Sequence, residues 1–434
     1  MTESIMARAR LASFRAPLLV ALFAAAVAHA SGEMPPWSDP DDLPLPPWAK
    51  SVVSKKNDQQ LIAGPSGKDP PRGSIFLGTR APLFGAKRGP GCGGRWLLVG
   101  PLAWICSDAA TLSADDPLAM PSRRSDDGLP YRYYFVGKDG ASGFSDLARV
   151  QDDAPEKDLE PGFAVAANEQ RTADGERWVH THAGYWIAER ELGEARSSSF
   201  HGDATPAGSL DVAWVVADRA SVWPAPGSGG RPSGSRVRFD AVHWHEERAA
   251  PGGVLLRVSD DGATPSEWMR AKDVARPLLS TPPDEIGGAS TAERWVDVEI
   301  ASQTLVAYEG ARPVYATLVS TGRGAPGSDT LTPPGAHRIW VKLLSTNMDN
   351  LENDEAEQHY SIEDVPYVQF FDKTVAVHGA FWHHDFGRAH SHGCVNLAPI
   401  DATWLFGWTS PHLPAGWSAV MPMRYEKGTM VRVR

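Results

Sequence analysis

Nineteen residues near the end of the chain, HGAFWHHDFGRAHSHGCVN from His378 to Asn396, hold five histidines and one cysteine. Side chains of these types serve either a bound zinc ion or a thiol nucleophile. An ordinary thiol, pKa ~8.5, is only partly ionised near neutrality, so a nucleophilic Cys394 needs an imidazole to take its proton. His378 closes the apolar run TVAVH, a rigid place from which to aim a ring at a facing loop. His392 is closer in sequence, but alternation along extended chain can turn it toward Cys394 or toward another wall. Gly393 lets a substrate carbonyl approach the backbone, and the amides of Gly393 and Cys394, with that of His392, are candidate oxyanion donors. The Gly379 carbonyl can accept the far N–H of His378 and fix its tautomer. Ser391 and Asn396 have the side chains to organise the loop beside a substrate.

Metal ligation is the main rival. His383, His384, His390 and His392, with Asp385 and Cys394, are suitable donor types. No paired cysteines or familiar spacing organises them, and the adjacent His383 and His384 point apart on extended backbone. The expectation is therefore no metal and no cofactor, with His383, His384 and His390 as solvated loop residues or partners of Trp382. A papain-like arrangement is disfavoured, because the cysteine follows its histidine here and strands surround both.

The elements around the loop read as strands. WVDVEIASQTLVAYEGARPVYATLVSTG alternates at Val296, Val298 and Ile300, at Leu305 and Ala307, and at Tyr315, Thr317 and Val319, with turns between. TPPGAHRIWVKLL and VPYVQFFDKTVAVHG add further strands. An acidic stretch, Met348 to Tyr367, precedes the cysteine loop; it reads as a surface excursion or as part of a lid, with Tyr360 and Tyr367 lining the substrate groove.

The rest of the chain reads as a leader, a tether and small β modules. Residues 1–30 carry Arg8, Arg10 and Arg15, the short apolar run APLLVALFAAAV and a small-residue AHA, the pattern of a cleaved signal peptide. The apolar run is too short to span a membrane, so the expectation is export to the periplasm or cell envelope with no transmembrane segment after cleavage. Residues 31–70 read as a proline-rich linker. Over 71–280, GRWLLVGPLAWIC (Trp96, Trp104) and ERWVHTHAGYWIA (Trp178, Trp186) share a spacing, and LLRVSDDGATPSEWMR (Trp268) is a looser copy. That predicts two or three small β modules in which the tryptophans form core. Residues 281–293 read as a second linker, and 294–425 as the C-terminal domain. Of three cysteines, Cys92 and Cys106 can pair in an oxidising compartment, which leaves Cys394 unpaired. The net charge is −11, falling to about −13 once three arginines and a glutamate leave with the leader. That balance argues against nucleic acid as a partner.

The pair His378-Gly379, then SHGCVN from Ser391 to Asn396, resembles the signature of L,D-transpeptidases with a YkuD-type catalytic domain. The turns Ser320-Thr321-Gly322 and Thr332-Pro333-Pro334-Gly335 resemble that family's first half, and the likeness covers about Arg294 to Val420. The repeated segments resemble bacterial SH3-like barrels. The resemblance implies a mainly β protein: a β-sandwich-like catalytic domain preceded by SH3-like modules. It also implies Cys394 as nucleophile, His378 as proton donor and acceptor, and His392 beside the oxyanion. The implied substrate is the tetrapeptide stem of peptidoglycan. Cys394 attacks the carbonyl of the third residue, D-alanine leaves, and the thioester passes to an amine. A crosslink, attachment of an envelope lipoprotein or D-amino-acid exchange would follow; water as acceptor would give an L,D-carboxypeptidase. A non-catalytic wall-binding scaffold is the alternative of another class.

Overall fold

In the computed structural model the described residues are 42–118, 127–152, 154–205, 208–226, 230–260, 267–352 and 359–434. The leader, the first part of the tether and the centre of the acidic stretch lie outside them. The protein is mainly β, with thirty-three strands and one α-helix among the described residues. No described helix is long and apolar enough to cross a membrane.

Alternating apolar residues build the C-terminal third as two facing sheets. Strands Arg294–Glu299, Thr304–Glu309 and Arg312–Leu318 pair antiparallel as a meander. Met430–Val433 joins parallel to the first, and Gly335–Arg338 joins outside it. The second sheet contains Val341–Asp349, Ser361–Asp372, Val375–Gly379, Val395–Leu397 and Trp417–Val420. Val296, Val298 and Leu305 meet Val377, Val395 and Leu397 in the core between them, with Leu405 and Phe406 from the helix Pro399–Trp408. Proline suits the first turn of that helix, where its missing N–H has no partner to lose. Buried Lys342 closes the other end by donating from Nζ to the carbonyls of Phe406 and Thr409, at 2.5 and 2.9 Å.

The meander is buried on both faces, beyond what alternation alone requires. Trp295 and Tyr308 stack 4.3 Å apart on the outer face. They share a core with Phe200, Leu210 and Trp214, which cover the sheet from the N-terminal side.

Three segments repeat one pattern: two strands, a single 3₁₀ turn, then a short strand. The copies are Trp96–Gly100, Ala103–Cys106 and Ala110–Ser113; Glu176–Thr181, Trp186–Ala188 and Leu192–Glu194; and Gly253–Ser259, Glu267–Arg270 and Val274–Ala275. Trp96, Trp104, Trp178, Trp186 and Trp268 are all buried. Cys92 and Cys106 are bonded, with Cα atoms 5.6 Å apart, and flank the Trp96–Trp104 cluster.

Several expected boundaries move. The tether was expected to reach residue 70, yet Ser51–Ser54 and Gln59–Ile62 are strands, with Val52 and Leu61 fully buried. Those apolar side chains belong to the first β unit, which begins before the proline-rich stretch ends. The expected linker 281–293 carries two 3₁₀ turns, and Ile286 packs into the shared core. The C-terminal domain passes residue 425, because Met430–Val433 supplies a central strand. The N-terminal units also anneal to the second sheet: Pro71–Ile75 pairs with Trp417–Val420, and Ala164–Ala173 meets Ser361–Asp372. Leu43–Arg434 is accordingly one compact unit.

Candidate active site

Parallel pairing places the two candidate catalytic residues. Val375–Gly379 and Val395–Leu397 run side by side with Val377 opposite Val395 and His378 opposite Asn396. Val377 and Val395 point into the core. Their neighbours His378 and Asn396 therefore share the opposite face, and so does Cys394, two residues before Asn396. All three line one cleft of about 690 Å³, with Ser391, His392, Tyr360 and Trp382.

His378 is 2% exposed. Its Nδ1 lies 3.1 Å from the Gly379 carbonyl, so Nδ1–H donates there and Nε2 is left to accept a proton. Its ring stacks on Trp382, with centroids 5.7 Å apart. Burial lowers its pKa to about 4, so the imidazole is neutral at physiological pH. Cys394 is a free cysteine, partly exposed to the cleft. Burial raises its pKa, partly opposed by a hydrogen bond from the Ala376 backbone. The resting pair is thus a thiol and a neutral base.

The loop is held rigidly from the meander side. Ser320 and Asn396 exchange backbone hydrogen bonds at 3.0 and 2.9 Å. Thr332 Oγ1 accepts from the Gly322 amide at 2.9 Å and donates to the Gly393 carbonyl at 2.8 Å. Gly322 has no room for a Cβ, which would fall 2.1 Å from the Thr330 carbonyl. Gly393 has φ +135°, where glycine is favoured. We predict that Thr332→Val, which keeps the shape but strips both hydrogen bonds, lowers unfolding stability by about 2 kcal/mol. An unchanged denaturation midpoint and slope would rule out this clamp.

The expected Gly393 oxyanion donor needs correction. Its amide donates to Ser391 Oγ at 3.1 Å, and Ser391 Oγ donates to the Cys394 carbonyl. Ser391 therefore ties the loop, and the Gly393 amide is already engaged within it. His392 is exposed, its ring 6.0 Å from that of Tyr360 and nearly parallel to it. Burial first, then Cys394 and Asp349, raises the Tyr360 pKa. Tyr367 does not line the groove as expected: it is 5% exposed in the core beside Phe406. Its backbone has φ +58°, in the left-handed region.

His383, expected in solvent or as a partner of Trp382, is buried, and its ring meets that of Trp382 edge-on at 6.2 Å. Its Nδ1 accepts from the Asp385 amide at 3.1 Å, so Nε2 carries the ring proton, 2.9 Å from the Asn396 side-chain amide. With the Asn396 amide turned so that its carbonyl end faces His383, that oxygen accepts this proton. His383, Asp385 and His390 have ligand atoms close enough for a metal ion, but both ring nitrogens of His383 are already engaged by the protein. Sequence reasoning missed His383 because its partner lies on the neighbouring strand.

Residues 293–433 match the family of the L,D-transpeptidase catalytic domain (YkuD). Among solved structures, a point mutant of the Enterococcus faecium L,D-transpeptidase is 23% identical, with TM-score 0.25; the match covers 33% of this chain and 50% of that one. An L,D-transpeptidase from Mycobacterium smegmatis is 20% identical, with TM-score 0.26 and coverage of 44% and 99%. One from Xylanimonas cellulosilytica is 22% identical, with TM-score 0.24 and coverage of 36% and 65%. No curated protein matches the chain.

Proposed function

We propose, from the L,D-transpeptidase catalytic domain that residues 293–433 carry, that this chain is an exported enzyme acting on the tetrapeptide stems of peptidoglycan. The observation that carries the reading is the pair itself. Cys394 and His378 share one face of a cleft, and the His378 tautomer leaves Nε2 free to accept a proton.

His378 Nε2 takes the thiol proton as Sγ bonds to the carbonyl carbon of the third stem residue. The Cys394 amide, with that of His392, holds the oxyanion. When the C–N bond breaks, His378 returns the proton to the departing D-alanine amine, and an acyl-thioester remains on Cys394. An acceptor amine then attacks the thioester, gives its proton to His378, and leaves with the acyl group as the thiol is restored. A crosslinking stem, an envelope lipoprotein lysine and a free D-amino acid all present such an amine. The three repeated β units are read as SH3-like modules and the leader as a signal for export to the periplasm or envelope.

Intact-mass spectrometry of the protein with a purified tetrapeptide muropeptide tests the reading. An acyl adduct with release of D-alanine is expected, and the products separate transfer from hydrolysis; a folded protein that gives neither refutes it. The pH profile is a second prediction. With His378 held neutral down to about pH 4, acylation kcat/KM has no acid limb near 6.5. An imidazole limb at 6.5 in stopped-flow acylation would contradict a buried neutral base.

A further inference from the structure

The cleft wall opposite the nucleophile loop is a hairpin made by Val341–Asp349 and Ser361–Asp372. Asn347, Met348, Asp349, Tyr360 and Ile362 from this hairpin line the cleft. Its pairing shifts between Thr346 and Met348, opposite Glu363 and Asp364, so the wall bends there. Asp364 sits at the bend with φ +50°, a costly conformation that persists only where neighbours hold it.

All four polar groups of Asp364 are engaged. Its amide donates to Asn347 Oδ1 at 3.0 Å, and Ser345 Oγ donates to its Oδ1 at 2.6 Å. The other two partners come from outside residues 293–433. Tyr133 O–H donates to its carbonyl at 2.6 Å, and His182 Nδ1 lies 2.7 Å from Oδ2. Beside it, the Ala166 amide donates to Glu363 at 3.2 Å, and Ala164 pairs with Ile362. A second contact leads to the base. The Tyr133 ring stacks on Phe381 at 4.0 Å, Phe381 meets Trp382 edge-on at 5.2 Å, and Trp382 stacks on His378.

The geometry points to the β unit spanning residues 129–195 as a working part of the cleft, with Tyr133 and His182 as positioning residues. They set the angle of the wall hairpin through Asp364, and Tyr133 steadies His378 through Phe381 and Trp382. This inference rests on the transpeptidase reading for its kinetic consequence, but its structural consequence stands apart from that reading. His182 faces Asp364, Glu363, Asp58 and Tyr131, and the hydrogen bond to Asp364 raises its pKa. Burial raises Glu363 to about 7. The grip is therefore strongest with His182 protonated and weakens as pH rises through its raised pKa.

The test compares Tyr133→Phe, His182→Ala and His182→Asn with the wild type in the full chain. Asparagine offers an N–H near the place of Nδ1 but cannot titrate. His182→Ala is expected to raise KM for the tetrapeptide donor about tenfold with a smaller change in kcat. His182→Asn should restore much of that loss and abolish the rise of KM with pH that the wild type shows. Tyr133→Phe, which keeps the ring stack, should raise KM while leaving kcat close to wild type. Hydrogen exchange should quicken in 343–349 and 361–366 in the alanine variant, whether or not the protein turns over this donor. Folded variants with wild-type KM, pH profile and exchange would overturn the inference. A wild type that releases no D-alanine would sink the transpeptidase reading, and the exchange data would still decide the positioning role.

Discussion

Cys394→Ala is expected to fold as the wild type does and to release no D-alanine from a tetrapeptide stem. The fold survives because the side chain is small and borders the cleft, so its loss removes little packing. Ser391, Thr332 and Asn396 still hold the loop, since none of their hydrogen bonds uses the sulfur. The chemistry does not survive, because no other thiol is available: Cys92 and Cys106 are bonded to each other. His378→Gln is the companion variant. It keeps a polar side chain but cannot cycle the proton, so acylation should slow by roughly 10²–10⁴-fold. A carbapenem, which offers an activated carbonyl, should add mass to the wild type and none to Cys394→Ala. Full stem-peptide activity in the alanine variant would refute the nucleophile assignment. Equal inactivity of wild type and variant, both folded, would favour the scaffold.

The site was legible where its parts are local. His378, Ser391, Gly393, Cys394 and Asn396 lie within nineteen residues, and alternation about Val377 and Val395 puts the candidate nucleophile and base on one face. The meander was legible for the same reason, since period-two patterning survives in each strand. What stayed hidden depends on contacts distant in sequence. Trp295 and Tyr308 fall on the face that alternation leaves to solvent, and it takes the distant Phe200 and Trp214 to cover them. Tyr367, read from its place in the acidic stretch as part of a lid, packs in the core with Phe406 and has a positive φ. The proline-rich composition masked the strands at Ser51 and Gln59, whose burial comes from partners such as Leu97 and Ile105. No local pattern tells that His182 will grip Asp364, 182 residues away.

Asp401→Ala is expected to lose about 3 kcal/mol or more of unfolding stability. Asp401 lies in the first turn of the helix Pro399–Trp408 and is fully buried. It accepts from Tyr315 O–H at 2.6 Å, from the Gly202 amide at 2.8 Å and from Thr317 O–H. Alanine leaves all three donors buried without this acceptor, and it unties the helix from the strand Arg312–Leu318 and from the chain at Gly202. Asp401→Asn separates charge from connectivity. Its Oδ1 can accept from Tyr315 and Gly202 while its NH2 donates to the Thr317 hydroxyl, so the network persists without an ionisable group. Burial raises the Asp401 pKa to about 6, from 3.8 in the unfolded chain. The folded state therefore binds the extra proton between those values, and the aspartate's contribution, complete below about 4, is lost as pH rises through about 6. Wild type should lose stability relative to Asp401→Asn across that window, and the gap should level off above it. Denaturant unfolding of both proteins at several pH values measures the gap. A gap that does not change with pH would mean that Asp401 titrates alike in the folded and unfolded chains. The helix follows directly on Val395–Leu397, so the same titration bears on how firmly the strand beside Cys394 is anchored.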